Sequence, residues 1–363
     1  MSMQESPFLN SFFLTHATIN AYFKQSKDDF VVTEIPLYEF SGEGEHLIIK
    51  FRKKDLNTLD AVRIFSEQLG CKSRDIGYAG LKDKNAMTIQ HISVPKQTAQ
   101  RLEKFEHPNI KILETTSHNN KIRIGHLKGN RFFIRLKKVS PMDGKKIESA
   151  LGQIATLGMP NYFGYQRFGI ERNNHIKGKE IIEGARSEKN RKLKQMFINA
   201  YQSDLFNTWL SRRIELSHMI NSFDPKDLIQ KIDLPQEELK SIKSQAHFFK
   251  IFKGEMMGHY PYGKIFSIDE TISEAQKFYE RDRVPTGILP GKRANTSSDF
   301  AYTFEKEFDL KLAVDGTRRY AWIFPNIIDS NYKEEQNWME LNFELPKGSY
   351  ATTLLEEVLK VRF

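Results

Sequence analysis

Two widely separated stretches of this chain alternate apolar and polar residues with a period of two. They are Phe132, Ile134 and Leu136, and near the other end Met339, Leu341, Phe343 and Leu345. A period of two puts every second side chain on one face, so each stretch reads as a β-strand with one buried side. Between them runs a different pattern: Leu193, Met196, Phe197, Ala200, Tyr201, Leu205 and Trp209 recur at helical spacing. Sheet towards both ends with helix in the middle constrains the fold more than any other feature. It predicts an α+β chain with a second, helix-rich domain beginning after Pro160, and it disfavours a regular strand-helix alternation of the doubly wound kind.

The remaining elements fit this frame. Residues 29–35 (DFVVTEI) and 46–52 (HLIIKFR) read as strands, joined through the turn-forming Ser41-Gly42-Glu43-Gly44. Asn57 or Thr58 can cap a helix carrying Val62, Phe65 and Leu69, which Gly70 can end. Further strands are expected at 88–94, 110–114, 121–126 and 132–139, the last two bracketing a basic turn, Lys128-Gly129-Asn130-Arg131. Ile147, Leu151, Ile154 and Leu157 mark a helix stopped by Gly158 and Pro160. Another segment of helical pattern covers 235–252, residues 284–292 read as loop, and 351–359 as a final helix.

The stretch richest in chemistry is GYAGLKDKNAMTIQ, residues 77–90. Gly77 and Gly80 punctuate a turn that leads into the strand at 88–94, so Asp83 falls on a loop entering a sheet, between Lys82 and Lys84. Loops on a rigid scaffold often carry catalytic groups, and two ammonium neighbours favour an ionised carboxylate. By pattern alone a charged surface hairpin explains the same residues. A phosphate-binding loop does not, since that pattern needs Gly-Lys-Ser/Thr and an aspartate would repel the phosphate.

Fifty-five Lys and Arg against 46 Asp and Glu give a formal charge of +9, which leans towards a polyanionic partner. Nine basic residues between Lys121 and Lys146 face the single acid Asp143, although solvated strand and helix faces produce such runs too. With one cysteine, Cys71, no internal disulfide can form, and a reducing, cytoplasmic location is expected, with Cys71 a small packing residue. Phe12-Phe13-Leu14 is too short to span a membrane. No His-Glu-x-x-His, Cys-x-x-Cys or Gly-x-Ser-x-Gly occurs, so no motif nominates a metal site or a nucleophilic triad.

The motif at 77–90 resembles the signature of the TruD family of tRNA pseudouridine synthases. So, in the same order as in the family, do Lys24 with 29–32 (DFVV), 41–46 (SGEGEH), 56–58 (LNT), 128–132 (KGNRF), 160–164 (PNYFG), 166–169 (QRFG) and 345–352 (LPKGSYAT). Ile288 departs from the family, where proline often follows the glycine. The resemblance implies a pseudouridine synthase core with a mixed, largely antiparallel sheet, residues 1–158 and 318–363, interrupted by a helix-rich α/β insertion domain, residues 159–317.

It also implies the chemistry: uridine to pseudouridine in tRNA, at position 13 near the D-arm, with no cofactor, no metal and no obligate protein partner. Asp83 is then the catalytic carboxylate, as nucleophile or as base, and Lys24 its basic partner. Phe132 would line the uracil site and Asn130 would offer a hydrogen bond, although by pattern Phe132 is a core residue and Asn130 a turn residue. Lys82, Lys128, Arg131, Arg167 and Phe168 are candidate RNA or cleft contacts. The alternative from another class is a non-catalytic RNA-binding or RNA-chaperone protein on the same fold. A carboxylate hydrolase acting on a glycosidic bond is more remote, since no motif nominates its second carboxylate.

Overall fold

In the computed structural model, residues 10–23, 26–82, 84 and 86–363 are described. The strands are β1 (Phe30–Pro36), β2 (His46–Lys53), β3 (Gly77–Tyr78), β4 (Met87–Pro95), β5 (Ile110–His118), β6 (Leu127–Lys137), β7 (Met159–Pro160), β8 (Met256–His259), β9 (Ile265–Ser267), β10 (Arg283–Leu289), β11 (Thr317–Tyr320), β12 (Trp322–Ile323), β13 (Asn326–Lys333) and β14 (Trp338–Pro346). The helices are α1 (Thr58–Leu69), α2 (Ala99–Leu102), α3 (Pro141–Leu157), α4 (Asn174–Ile182), α5 (Arg191–Ser222), α6 (Pro225–Leu228), α7 (Gln236–Ser244), α8 (Thr271–Tyr279), α9 (Asp299–Glu305) and α10 (Ala351–Leu359). This is the expected α+β class. Two compact units carry them: a sheet unit, Asn20–Glu148 with Pro325–Gly348, and a helical unit made of the described part of Met1–Ile19, Ser149–Phe324 and Ser349–Phe363.

The sheet unit holds one sheet of order β13-β14-β6-β1-β4-β2-β5, with β3 paired to β4. Among the described residues its pairings are antiparallel except β1 with β4, so the sheet is mixed and largely antiparallel as expected. The two alternating stretches that dominate the sequence are neighbours: Phe132 pairs with Phe343, Ile134 with Leu341 and Leu136 with Met339. Shared register places both apolar faces on one side of the sheet, and these six residues are all buried. On β2 and β4, Ile49, Phe51, Ile92 and Val94 pack against Ala61, Val62, Phe65 and Leu69 of α1, with Cys71 partly buried beside them. Burial raises the Cys71 thiol pKa, and nearby Asp75 adds to the rise. Asn57 caps α1, its side chain accepting from the Asp60 amide at 2.9 Å.

Residues 128–131 correct the sequence reading. They are not a turn but the first part of β6, paired to β1 on one side and β14 on the other. The Gly-Asn pair looked like turn chemistry, yet here glycine serves close approach: a Cβ at Gly129 would lie 2.3 Å from the Leu345 carbonyl oxygen. We expect Gly129→Ala to lower stability by about 1–3 kcal/mol, read as a fall in the urea midpoint with an unchanged slope. The strand expected at 121–126 is also absent. Ile122 is buried and Ile124 is exposed, so the apparent alternation has no buried face to serve, and the segment turns through Gly125, whose amide donates to the Ala79 carbonyl.

The helical unit is built on α5, against which β10 lies in the sheet β11-β10-β8-β9. Reading 284–292 as loop fails for 284–289, which belong to β10: Pro285 and Gly287 suggest a breaker, but Gly287 lets the strand pass close to α5, where a Cβ would meet the Trp209 ring at 2.3 Å. The expected helical segment 235–252 is helix only over α7. Beyond it the chain wraps around the Lys250 ammonium, which donates to the carbonyls of Lys243, Gln245 and His247. The final helix, α10, spans the residues expected of it. Among the described residues, no helix is long and apolar enough to cross a membrane.

Candidate active site

Asp83 and Lys24 lie outside the described residues. β3, at Gly77–Tyr78, pairs with β4, which begins at Met87 on the far side of residue 83. Lys82 enters a polar cluster on the sheet. Its ammonium donates to Asn130 Oδ1 at 2.7 Å and lies 3.6 Å from Glu34 Oε2, with side-chain exposures of 8% for Lys82 and 1% for Glu34. Glu34 and Asn130 are cross-strand partners of β1 and β6, which explains how one ammonium reaches both. The other Glu34 oxygen accepts from the His91 amide at 3.3 Å, with the His91 ring nitrogen Nδ1 3.5 Å away.

Two expected site residues, Lys82 and Asn130, are therefore bonded to each other. The Lys82 ammonium is thus held between a buried carboxylate and an amide oxygen. Phe132 follows on β6, 6% exposed, stacked on Phe343 at 5.5 Å and 24° and facing Phe30 at 6.2 Å. Its ring is part of the apolar face of the sheet.

Lys128 and Arg131 line a pocket of about 630 Å³ that Glu34 and His91 also border. Tyr38 and Phe40 give this pocket its rings; Tyr38 stacks on His118 at 5.1 Å and its hydroxyl lies 2.8 Å from His126 Nδ1. Arg131 is exposed, but two of its guanidinium nitrogens donate to Glu344 Oε1, at 3.0 and 2.7 Å.

The basic run 121–146 is less available than its count suggests. Arg135 pairs with Asp29 and Glu340, Lys137 with Asp29, and Lys146 with Asp143. Burial raises the Asp29 pKa, but the Lys137 ammonium and the Ser26 hydrogen bonds outweigh it, and the net shift is downward. The pairs of Arg135 and Lys137 thus tie β6 to β14 and to the segment before β1.

In the helical unit, Arg167 donates from Nε to Ser203 Oγ at 3.1 Å. Phe168, next to it, is 1% exposed and meets the His175 ring edge-on at 5.5 Å. The motif 160–164 is organised by Arg319, which donates to the Asn161 carbonyl and to Asn161 Oδ1 and lies 3.9 Å over the Phe163 ring. Burial lowers the Arg319 pKa to about 10.

Sequence reasoning missed Glu34 and His91 as members of the cluster, and also Lys53 and Thr58, whose ammonium and hydroxyl oxygen meet the Lys82 carbonyl and amide. A signal existed for Glu34, which follows Phe30 and Val32 at a spacing of two and so falls on the buried face of β1. Thr58 and Gln90 stood in recognised motifs without a role.

The chain matches the family model described as tRNA pseudouridine synthase D (TruD) over residues 9–190 and 184–358. It is similar to the tRNA pseudouridine synthase D of Nitratiruptor sp., 55% identical over 96% of this chain and 97% of that protein. It is also similar to those of Sulfurimonas denitrificans, 52% identical over 96% and 97%, and of Helicobacter pylori, 45% identical over 99% and 97%. Among solved structures, a crystal structure bearing the name tRNA pseudouridine synthase D (TruD) from Methanosarcina mazei superposes with a TM-score of 0.72 at 23% identity, covering 98% of this chain and 97% of that one, a likeness of fold.

Proposed function

The chain belongs to the tRNA pseudouridine synthase D (TruD) family, and on that premise we propose that it isomerises uridine 13 of tRNA with Asp83 as the catalytic carboxylate. The broad activity is that of a tRNA pseudouridine synthase, an isomerase. The position on the tRNA and the roles of single residues are the proposal. The supporting observation is the intact motif at residues 77–90, in a chain that the family model and its relatives cover almost completely.

The reaction breaks the bond from ribose C1′ to uracil N1, turns the base, joins C1′ to C5, releases the C5 proton to solvent and leaves N1 protonated. It leaves the redox state unchanged, so one carboxylate, a pocket that keeps the freed uracil, and hydrogen-bond donors for its oxygens suffice in principle. In this reading Asp83 attacks the sugar or removes a ribose proton, and Lys24 keeps it ionised. A uridine inside folded RNA must first be flipped out, and an aromatic ring offsets part of that cost; Phe132 is the residue assigned to line the base. In this reading residues 1–158 and 318–363 form the catalytic core and residues 159–317 the insertion domain. The partner is tRNA and the expected location the cytoplasm.

The test uses unmodified tRNA carrying tritium at C5 of uridine, followed by mapping of pseudouridine. Tritium release with a new pseudouridine at position 13, abolished when that uridine is replaced by cytidine, is the expected result. Pseudouridine at another position would overturn the assignment of the site. Tight, salt-sensitive binding with no release would favour the RNA-chaperone alternative.

A further inference from the structure

Lys82 is gripped at its amide, its carbonyl and its side chain. Thr58 Oγ1 accepts from the Lys82 amide at 2.8 Å and itself donates to Gln90 Oε1 at 3.1 Å. The Lys53 ammonium donates to the Leu56 carbonyl at 2.6 Å and reaches the Lys82 carbonyl at 3.4 Å. Asn130 and Glu34 hold the side chain, as described above. Thr58, Lys53 and Gln90 are 0% exposed and Glu34 is 3%.

Such a grip is expensive. Burying a lysine and a glutamate desolvates both ions, which pairing offsets only in part, and apolar residues of similar volume would often stabilise a fold as well or better. Polar groups in this density, converging on one residue of a loop, therefore suit positioning better than stability. The position of that residue matters because the Lys82 carbonyl belongs to the planar peptide unit that continues into residue 83. A bond to that oxygen, with another to the amide before it, restrains the chain where it enters the motif's carboxylate.

We propose that Thr58, Lys53 and Glu34 are positioning residues that act through Lys82 to set the orientation of Asp83. The inference rests on reading Asp83 as the catalytic carboxylate. It gives Lys82 a role within the protein, and it assigns the conspicuous Asn-Thr of residues 57–58 to two tasks: Asn57 caps α1, while the Thr58 hydroxyl, inside the first turn, holds the catalytic loop. Misplacing a reacting group by about 1 Å costs on the order of 100-fold in rate, so the effect should appear in the chemical step.

The experiment compares wild type, Thr58→Val, Thr58→Ser, Glu34→Gln and Asp83→Asn in single-turnover tritium release at saturating tRNA, with tRNA Kd and thermal midpoint measured alongside. Thr58→Val keeps the shape of the side chain and removes the hydroxyl. It should lower the single-turnover rate by about 10- to 100-fold with Kd unchanged, and Thr58→Ser should recover most of that loss. Glu34→Gln tests the other side of the grip and serves alone if the valine variant does not fold. A purely structural role would instead move midpoint and Kd while leaving the saturated rate of folded protein at the wild-type value, and that result overturns the proposal. If Asp83→Asn is inactive while Thr58→Val and Glu34→Gln run at the wild-type rate, positioning fails and the catalytic reading stands. If Asp83→Asn retains full activity, the catalytic reading falls and takes the positioning with it.

Discussion

Asp83→Asn should abolish tritium release from C5-labelled tRNA, lowering the single-turnover rate on the order of 10⁴-fold or more, while tRNA still binds. The substitution keeps the volume and planarity of the side chain and removes the anion, so a carboxylate acting as nucleophile or base loses its function without a cavity being created. Asp83 sits between two lysines whose charges survive the change, and electrostatic attraction to the phosphate backbone should persist or rise slightly with one negative charge removed. The measurement is therefore a ratio: rate at saturating tRNA against Kd in the same buffer. Equal losses in both would point to disturbed folding or docking, and an unimpaired rate would remove Asp83 from the chemistry.

Removing the Arg213 guanidinium should produce the largest loss of stability. Arg213, on α5, donates from two nitrogens to the two Glu255 oxygens at 2.9 and 2.8 Å, and again to the Lys250 carbonyl at 2.9 Å. The side chains of the pair are 1% and 2% exposed, and the guanidinium lies against the rings of Trp209, Phe249 and Phe252. Arg213→Ala leaves the Glu255 carboxylate buried without its cation and opens a cavity among those rings. We expect a loss of about 3–5 kcal/mol, measured by urea unfolding. Because desolvation rather than attraction dominates the cost, the double variant Arg213→Met with Glu255→Leu should recover most of it. A single variant within about 1 kcal/mol of wild type would mean that the pair behaves like a solvated surface bridge. Arg318 and Glu305 form a second buried pair of this kind in the same unit, 2.7 Å apart at their closest.

Legibility of the chain followed the range of the forces involved. Alternation over 339–345 identified β14, and the apolar spacing in 351–359 identified α10, because both signals arise from neighbours within a few residues. The same local reasoning misjudged 128–131 and 284–289. In each case a glycine that looked like a turn former serves a close approach to a distant segment, Leu345 in one and Trp209 in the other, and nothing nearby in the chain encodes that neighbour. Charge is read the same way: the sequence shows the basic run between Lys121 and Lys146, but not that Arg131, Arg135 and Lys137 within it have carboxylate partners on distant strands or turns.

By itself the sequence determined the α+β class, most elements of the sheet, the motif carrying Asp83 and the family resemblance, since periodicity and ordered motifs are properties of the chain as written. Only the tertiary structure decided that β6 runs through 128–131, that the Lys82 ammonium meets Glu34 and Asn130, and that Thr58 and Lys53 meet the backbone of the same residue. Those contacts join segments tens of residues apart, and such pairings exist only once strand register and helix packing have brought the segments together.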